Sequence, residues 1–211
     1  MKRFVWKKDR VISIKVKGNL YVLAQLVGEP PLVAFYNFFS DSNDWGDINL
    51  HSSDVLFVAY VARDCIKRSG FHNVNNINPC EKIIVPSYWI HPYSEGSRFV
   101  KFQNSTTKSE IEFLTLGDNP GGKLTEIEVG RGVYDNPIIE ESISDDATIN
   151  QYELESLRMY PELNERLYLC HKLGESIDPA KDIAFNKKLP DYYEVYVKIV
   201  SGKVRITELG Y

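Results

Sequence analysis

A hairpin pattern stands out in residues 11–27, VISIKVKGNLYVLAQLV. Its first half alternates apolar and polar side chains, which is typical of a strand with one buried face. Gly18-Asn19 then provides a tight turn, and an apolar run leaves it. The stretch therefore predicts a β-hairpin near the start of the chain.

Further strand patterns follow this hairpin. LVAFYNFF (32–39) and VLFVAYVA (55–62) are nearly continuous apolar runs, as expected of central strands buried on both faces. The polar loop SDSNDWGD (40–47) separates them and is rich in turn-forming residues. Other strand patterns are SRFVKFQN (97–104), EIEFLTL (110–116) and, after the turn GDNPGG (117–122), LTEIEV (124–129).

The apolar period changes after Thr148. Apolar residues then fall three or four positions apart, at Leu154, Leu157, Tyr160, Leu163, Leu167, Cys170 and Leu173. This spacing predicts an amphipathic helix, or two helical segments joined at Pro161, with Asp146 or Thr148 as the N-cap and Gly174 after its end. Farther on, YEVYVKIV (193–200), Ser201-Gly202 and KVRITEL (203–209) predict a terminal hairpin.

These elements predict an α+β fold with a mainly antiparallel sheet, small and barrel-like or strongly twisted. One C-terminal amphipathic helix and a terminal β-hairpin complete it. A chain of 211 residues is long enough for one well-buried core, so we expect a single domain over residues 1–211. Its parts are a β-rich core at about 1–130, an acidic loop and helix at about 131–174, and the hairpin at about 191–209.

The composition is that of an ordinary soluble protein, with 43% hydrophobic and 26% charged residues. Apolar runs stay below the roughly 18 residues of a membrane helix. The basic start MKRFVWKKDR is not followed by the apolar stretch of a secretory signal. The three cysteines are odd in number and widely spaced, which favours reduced thiols. We therefore expect a cytoplasmic protein.

The net charge of −4 is unevenly distributed. Between Asp135 and Glu165 there are nine carboxylates, and Arg158 is the only lysine or arginine. The densest part is EESISDDATINQYELE (140–155), where six carboxylates occur without a basic residue. Such a field repels nucleic acid and attracts basic protein surfaces, although acidic solvent-facing segments and helix starts are also common.

Searches for catalytic or metal-binding patterns give no match. The acidic stretch lacks the glycine of an EF-hand loop, and the four histidines are scattered without metal-ligand spacing. GDNPGGK (117–123) is not a phosphate-binding loop, and no nucleophile motif occurs. We expect no catalytic residues, no metal and no cofactor. A nucleic-acid-binding β-barrel stays an alternative because of the basic N-terminus and the many aromatic residues, but the overall charge opposes it.

Three apolar elements occur in a characteristic order: DRVISIKV (9–16), PPLVAFYNFF (30–39) and SSDVLFVAYVA (52–62). This series resembles the immunity protein 26 family of bacterial polymorphic-toxin and contact-dependent growth inhibition systems. Matching residues are Asp9, Val11, Ile14, Pro31, Leu32, Ala34, Phe35, Val55, Leu56, Phe57, Phe71 and Pro79, whereas Lys8 stands where the family usually has glycine. The similarity covers about residues 8–104 and extends weakly to QYELESL (151–157), leaving 175–211 outside it.

The resemblance implies an immunity protein rather than an enzyme. Such a protein binds one cognate toxin domain, in a 1:1 complex, and blocks its active or substrate-binding site in the cytoplasm, with no nucleic-acid or membrane partner. Many of these toxins are nucleases with basic sites, to which acidic side chains are complementary. The family is also associated with a small phosphotriesterase, so a metal-dependent phosphotriesterase-like hydrolase stays the alternative function.

Two groups of residues are candidates for contact with the toxin. The first comprises the carboxylates Glu140, Glu141, Asp145, Asp146, Glu153 and Glu155. The second lies in the polar loop at 40–47 and comprises Asp41, Asp44, Trp45 and Asp47. A tryptophan in a polar loop either anchors an interface or packs back onto the core.

Overall fold

The chain forms an α+β structure with two mostly antiparallel sheets, one of them curled into a half-barrel, and a separate two-stranded hairpin. This confirms the predicted fold class, including a C-terminal helix. The structure is a computed structural model that describes residues 4–28, 31–93, 96–101, 108–113, 121–128 and 135–211.

Most strands precede most helices along the chain. The strands are β1 (Val11–Lys17), β2 (Leu20–Leu26), β3 (Leu32–Ser40), β4 (Val55–Val61), β5 (Phe71–Asn73), β6 (Tyr88–Pro92), β7 (Gly96–Lys101), β8 (Lys108–Phe113), β9 (Gly122–Glu126), β10 (Ile138–Ile143), β11 (Glu153–Leu154) and β12 (Leu157–Arg158). The α-helices are α1 (Arg63–Arg68), α2 (Asp146–Gln151), α3 (Glu162–Leu173), α4 (Pro179–Ala184) and α5 (Glu194–Ser201). Short 3-10 helices lie at Ser52–Asp54, Asp191–Tyr193 and Ile206–Leu209.

Contacts between residues group the chain into two compact units. The first comprises residues 1–85 and 156–177, and the second comprises residues 86–155 and 178–211. Each unit is thus assembled from two separate segments of the chain. The predicted organisation as one domain stays a prediction, because a compact unit is not in itself a separately folding domain.

The first unit is built on a six-stranded sheet with the order β12-β4-β3-β2-β1-β5. Strands β1 and β2 form the predicted hairpin, in which Ile12 pairs with Ala24 and Ile14 with Val22. Since successive side chains of a strand point to opposite faces, the apolar residues are divided between two layers. One layer packs against α1 and α3, and the other packs against Trp45, Leu50, Val74 and Ile77.

Helix α3 is fixed to the first sheet by a buried amide as well as by apolar packing. The Asn164 side chain donates to the carbonyl oxygens of Lys15 (2.8 Å) and Val16 (3.3 Å) on β1. Its own oxygen accepts from the Ser69 hydroxyl at 2.9 Å. One amide therefore joins a helix, a strand and the end of α1 in a region without access to water.

Replacing Asn164 with alanine is expected to lower the free energy of unfolding by about 2 kcal/mol, because buried hydrogen-bonding groups lose their partner. Urea denaturation measures the change. The exposed Asn49 is the matched control, and Asn49→Ala should change the free energy by less than about 0.5 kcal/mol. Equal effects of the two substitutions would show that the buried amide does not stabilise this junction.

The prediction of a terminal hairpin at 191–209 is wrong, because these residues form α5 flanked by two 3-10 helices. Val195, Val197 and Ile199 alternate as in a strand, but burial follows a helical spacing at Tyr193, Tyr196 and Val197. Gly202, which the sequence suggests as a hairpin turn, ends the helix at φ +65°. Tertiary packing here overrides the strand preference of β-branched residues.

The predicted long helix over 148–173 is partly wrong. Its second half exists as α3, which ends at Gly174 with φ +75° as expected. Its first half is the short helix α2, followed by β11 and β12, each of which adds in parallel to a sheet. The N-cap of α2 is Asp145 rather than Asp146 or Thr148. Leu154 and Leu157 keep a helical spacing but lie in strands of different sheets.

The second predicted hairpin is present as β7 paired with β8, over 96–101 and 108–113. Most of the predicted turn at 117–122 lies outside the described residues. Strand β9 starts at Gly122 and pairs with β6, so that Tyr88 lies opposite Glu126 and Pro92 opposite Gly122. These strands, with β10 and β11, form the four-stranded sheet of the second unit in the order β10-β9-β6-β11.

Candidate functional site

The acidic segment, defined here as residues 135–155, runs through the second unit as β10, α2 and β11. Strand β10 is at the edge of the four-stranded sheet and pairs with β9, while β11 is at the opposite edge and pairs with β6. The segment thus passes from one edge of the sheet to the other by way of α2. Its ends are both anchored in the sheet, and Glu140, Glu141, Asp145 and Asp146 lie on β10 and at the start of α2.

Strand β10 exposes five consecutive residues, Ile138 to Ser142. The regular alternation of a strand is broken by register shifts against β9 and by the left-handed backbone of Ser142, at φ +61°. Both isoleucines are about half exposed, Ile138 at 47% and Ile139 at 51%. Two apolar side chains and the carboxylates of Glu140 and Glu141 therefore share one accessible strand.

Asp145 and Asp146 continue this exposed surface at the start of α2. Asp145 also has a structural role, since its carboxylate accepts a hydrogen bond from the Thr148 backbone at 2.8 Å. That bond keeps the pKa of Asp145 below its ordinary value. Four of the predicted carboxylates, two on β10 and two at the start of α2, are thus accessible to a partner, while Glu153 is half-buried in β11.

Glu155 is not accessible, and its prediction as a partner-contacting residue is corrected by its burial, with 2% of its surface exposed. One carboxylate oxygen accepts from the Asn136 amide at 2.7 Å, and the other accepts from the Thr125 hydroxyl at 2.9 Å. Asn136 lies just before β10, and Glu155 lies just after β11. Their hydrogen bond therefore joins the two ends of the acidic segment beneath its exposed surface.

Glu155 belongs to a buried polar cluster on one side of the second sheet. Its members are His91, Lys123, Thr125, Asn136 and Glu155, all less than 10% exposed. His91 and Lys123 are opposite each other on β6 and β9, and the His91 Nδ1 atom lies 3.5 Å from a Glu155 oxygen. The intervening Ile90 and Leu124 face an apolar cluster with Ile143 and Leu154. The alternation of the strands thus separates a polar layer from an apolar one.

Burial shifts the ionisation of this pair in opposite directions. Burial and, to a smaller extent, the charge of Lys123 lower the pKa of His91 to about 4, against the opposite effect of a hydrogen bond to the Glu155 backbone. Burial also raises the pKa of Glu155, while hydrogen bonds from Asn136 and Thr125 act in the other direction. His91 is therefore neutral near pH 7.

The geometry of the buried polar cluster suits a brace better than a nucleophilic site. A threonine nucleophile would direct its hydroxyl proton to a base such as histidine. Here the Thr125 hydroxyl donates to the carboxylate of Glu155 and lies 3.2 Å from the Trp89 carbonyl oxygen. The carboxylate in turn holds Asn136, whose oxygen accepts from the Glu128 backbone at 3.2 Å.

The second predicted patch is split in the same way. Asp41, Asp44 and Asp47 are exposed in the loop after β3. Trp45 is buried, at 7% exposed, and packs in the apolar layer with Leu50. The prediction that Trp45 anchors a partner is therefore corrected, because the loop folds this side chain back onto the sheet. Burial of a large aromatic surface stabilises that loop.

Within the described ranges, no group of three or more His, Cys, Asp or Glu side chains is arranged to hold a metal ion. In the same part of the chain, no helix has the length and apolar character needed to cross a membrane. Cys65 and Cys170 are buried and belong to no disulfide, and burial raises the pKa of the Cys65 thiol to about 12. A thiol in that state is a poor nucleophile near neutral pH.

Sequence reasoning missed the other four members of the buried polar cluster. Their signal is an alternation of polar and apolar residues in β6 and β9, where His91 follows Ile90 and Lys123 and Thr125 flank Leu124. This pattern is usually that of a strand with a solvated face. Only the pairing of the strands and the return of Glu155 to the sheet show that the polar side is buried.

Fold and site together define an α+β protein whose second sheet has β10 as an edge strand with exposed acidic and apolar side chains. The buried polar cluster holds the ends of the acidic segment together. The chain belongs to a family described as a domain of unknown function (DUF8309), whose family model matches residues 1–190. That match includes the whole acidic segment and the buried polar cluster. No curated protein and no solved structure matches the chain.

Proposed function

We propose that this protein is an immunity protein, which binds a cognate toxin domain in a 1:1 complex and neutralises it without catalysis. The observation that carries the proposal is the exposed surface of the acidic segment, in which two exposed isoleucines of β10 are followed by the exposed carboxylates Glu140, Glu141, Asp145 and Asp146. The order of apolar strands in the first unit, which resembles immunity protein 26, supports the same function.

The surface has the composition of a protein-binding site with a defined preference for charge. Isoleucines at the centre of an interface contribute apolar burial, and carboxylates around them steer a basic partner and fix its orientation. No lysine or arginine occurs between residues 135 and 157, so β10 and the start of α2 carry only negative charges of their own. Lys181 and Lys187 contact the later part of the segment, where they donate to the Tyr152 carbonyl at 2.8 Å and to the Asn150 side chain. A nuclease domain, whose substrate site attracts phosphates, is the class of toxin that this surface fits best.

The buried polar cluster supports the proposal by explaining how the surface keeps its shape. An inhibitor gains affinity when its contact surface is ordered before binding. The bond between Asn136 and Glu155 ties the ends of the acidic segment, and Asp145 caps the helix within it. The carboxylates are therefore presented on a braced strand and helix start.

Co-expression with a toxin domain encoded by a neighbouring gene tests the proposal. We expect a 1:1 complex that survives gel filtration, together with restored growth of cells that produce the toxin. Purified protein should also inhibit the toxin's nuclease activity at equimolar concentration. Failure to form a complex, or a complex in which the toxin stays active, would contradict the proposed function.

Charge reversal on the acidic segment is expected to slow association with the toxin. The variant Glu140→Lys/Glu141→Lys/Asp146→Lys should lower the association rate constant by about tenfold to a hundredfold at low salt, because electrostatic steering is lost. Stopped-flow or biolayer measurements at about 50 mM and about 500 mM salt should show that the difference shrinks as screening increases. Asp145 is left unchanged because it caps α2.

The matched control reverses three exposed carboxylates elsewhere, in the variant Glu81→Lys/Glu175→Lys/Glu208→Lys. It changes the net charge by the same amount but leaves the acidic segment intact. We expect a much smaller effect on the rate constant. Equal slowing by both variants would mean that only the overall charge matters, and would assign the contact surface elsewhere.

A further inference from the structure

A basic cleft lies in the first unit, in a region that the proposed toxin contact does not use. It has a volume of about 300 Å³ and runs between the turn at residues 7–10 and the segment at residues 73–79. Its lining residues include three cations, Lys7, Lys8 and Arg10, and one carboxylate, Asp9. The cleft therefore has an excess of positive charge in a protein whose net charge is −4.

The backbone fixes the cationic wall of this cleft. Asp9 adopts the left-handed conformation, at φ +61°, and its N–H donates to the Leu26 carbonyl at 2.8 Å. The Arg10 N–H donates to the Lys7 carbonyl at 3.2 Å, which closes the turn. Leu26 in return donates to the Arg10 carbonyl at 3.0 Å. Consecutive basic residues are thus held on a turn that is attached to β2.

The opposite wall carries three asparagines, Asn73, Asn75 and Asn78. Val74 and Ile77 also line the cleft and belong to the apolar layer of the first sheet. The Val74 N–H donates to the Val11 carbonyl at 3.1 Å, which attaches this wall to the start of β1. Both walls are therefore connected to the sheet.

These amides differ from a neighbouring asparagine that has a structural role. The Asn76 side chain donates to the Trp45 carbonyl at 2.6 Å and so holds the loop after β3. Asn73, Asn75 and Asn78 instead line the cleft and are exposed. Each primary amide has two N–H donors, and Lys7 and Lys8 add charged donors, whereas an N–H group of Arg10 already donates to the Val5 carbonyl oxygen at 3.0 Å.

We propose that this cleft binds the phosphate group of a small phosphorylated metabolite. Cations with several N–H donors recognise the oxygens of a phosphate ester, and charge-assisted hydrogen bonds to such groups are the stronger ones. The volume lies at the lower end of the range for small-molecule sites, which fits a sugar phosphate or a mononucleotide. Asp9 and the uncharged amides are suited to hydroxyl and base groups of such a ligand.

The site is independent of the proposed immunity function, because none of its residues belongs to the acidic segment. Lys8, one of the cleft residues, stands at a position where the immunity protein 26 family usually has glycine. A side chain at this position supplies one of the cations of the cleft. The cleft is thus a property of this chain that the resemblance does not imply.

Ligand titrations of the protein test the proposal, with binding monitored by isothermal titration calorimetry and by amide NMR shifts. The probes are inorganic phosphate, ribose 5-phosphate, AMP and, as a ligand without a phosphate, adenosine, all at constant ionic strength with sodium chloride as the reference. We expect at least one phosphate ester to bind with a Kd below about 1 mM and to shift amides at residues 7–10 and 73–79. Binding of adenosine as tightly as AMP, or no saturable binding of any probe, would overturn the proposal.

The variant Lys7→Gln/Lys8→Gln should weaken binding by about tenfold or more, because two charged donors are lost. The matched control Lys188→Gln/Lys203→Gln removes two exposed lysines elsewhere and should leave the Kd unchanged. A second variant, Asn75→Ala/Asn78→Ala, tests the amide wall without a change in charge and should also weaken binding. Thermal unfolding of all three variants should match the parent, since every substituted side chain is exposed.

A single-stranded oligonucleotide distinguishes the remaining source of phosphate. Tight oligonucleotide binding with a steep salt dependence, combined with no binding of AMP or ribose 5-phosphate, would overturn the small-ligand proposal in favour of a nucleic-acid contact. Equal effects of the cleft variant and the control variant would overturn it in favour of non-specific attraction. Weaker AMP binding in the cleft variant alone would confirm the site.

Discussion

Replacing Glu155 with alanine is expected to lower the free energy of unfolding by about 3 kcal/mol, the largest effect of a single substitution that we predict. The buried carboxylate accepts hydrogen bonds from the Asn136 amide and the Thr125 hydroxyl, and its removal takes this acceptor from both donors. The ends of the acidic segment also lose the bond that joins them. Urea denaturation at about pH 7 measures the loss.

Two further variants separate the buried role of Glu155 from its charge. Glu155→Gln keeps the shape and one oxygen acceptor, so it should cost less than the alanine variant, about 1 to 2 kcal/mol. Glu140→Ala removes an exposed carboxylate from the same segment and should change the free energy by less than about 0.5 kcal/mol. A Glu155→Ala variant as stable as Glu140→Ala would show that the cluster does not brace the segment.

Acid is expected to destabilise the protein through His91, whose pKa is about 4 in the folded state and ordinarily 6.5. Between these values the unfolded chain binds the proton more readily, so the free energy of unfolding falls as the pH drops. Between about pH 7 and about pH 4.5 the contribution of His91 amounts to about 2 kcal/mol. Denaturation curves of the parent and of His91→Gln at both pH values measure this contribution. The fall in the free energy of unfolding from about pH 7 to about pH 4.5 should be about 2 kcal/mol smaller in His91→Gln than in the parent.

Glu155 acts in the opposite direction over part of the same range. Its pKa is raised in the folded state, so the folded protein takes up this proton more readily and its contribution to stability grows as the pH falls through that pKa. The comparison of the parent with His91→Gln isolates the histidine. His51 is exposed, and His51→Gln is the control for the loss of a histidine side chain. An unaltered pH dependence in His91→Gln would contradict the burial argument.

The acidic segment shows how far a pattern of charges predicts a site. The carboxylates of Glu140, Glu141 and Asp146 are exposed, as the sequence suggests for charged residues beside turn and helix-start signals. Glu155 has the same charge and a similar neighbourhood in the sequence, yet it is buried. The difference comes from β11, which pairs in parallel with β6 and turns the following residue towards Thr125. Strand pairing of this kind between distant residues leaves no local signal.

The C-terminal region shows a conflict between local and tertiary preferences. Residues 193–200 have the β-branched and aromatic composition of a strand, and a glycine follows them. They fold as a helix because Tyr196 and Val197 are fully buried on one of its sides. A two-residue spacing of buried side chains belongs to a strand, and a three-to-four-residue spacing belongs to a helix. Which of the two forms here depends on where the core lies, and the apolar residues of α5 do not reveal that position by themselves.

The sequence by itself determined strands β1 to β4 of the first sheet, the α+β class and the net acidity of residues 135–165. Alternation, apolar runs and turn residues are local properties, and they set these features with little help from the rest of the chain. Tertiary structure alone decided that Trp45 and Glu155 are buried, that His91 and Lys123 share a polar layer, and that the basic turn at 7–10 meets the asparagines at 73–79. The physical reason is that burial and proximity depend on pairing between distant segments. Each of these residue types can lie in water or in the interior, where its polar groups find hydrogen-bond partners.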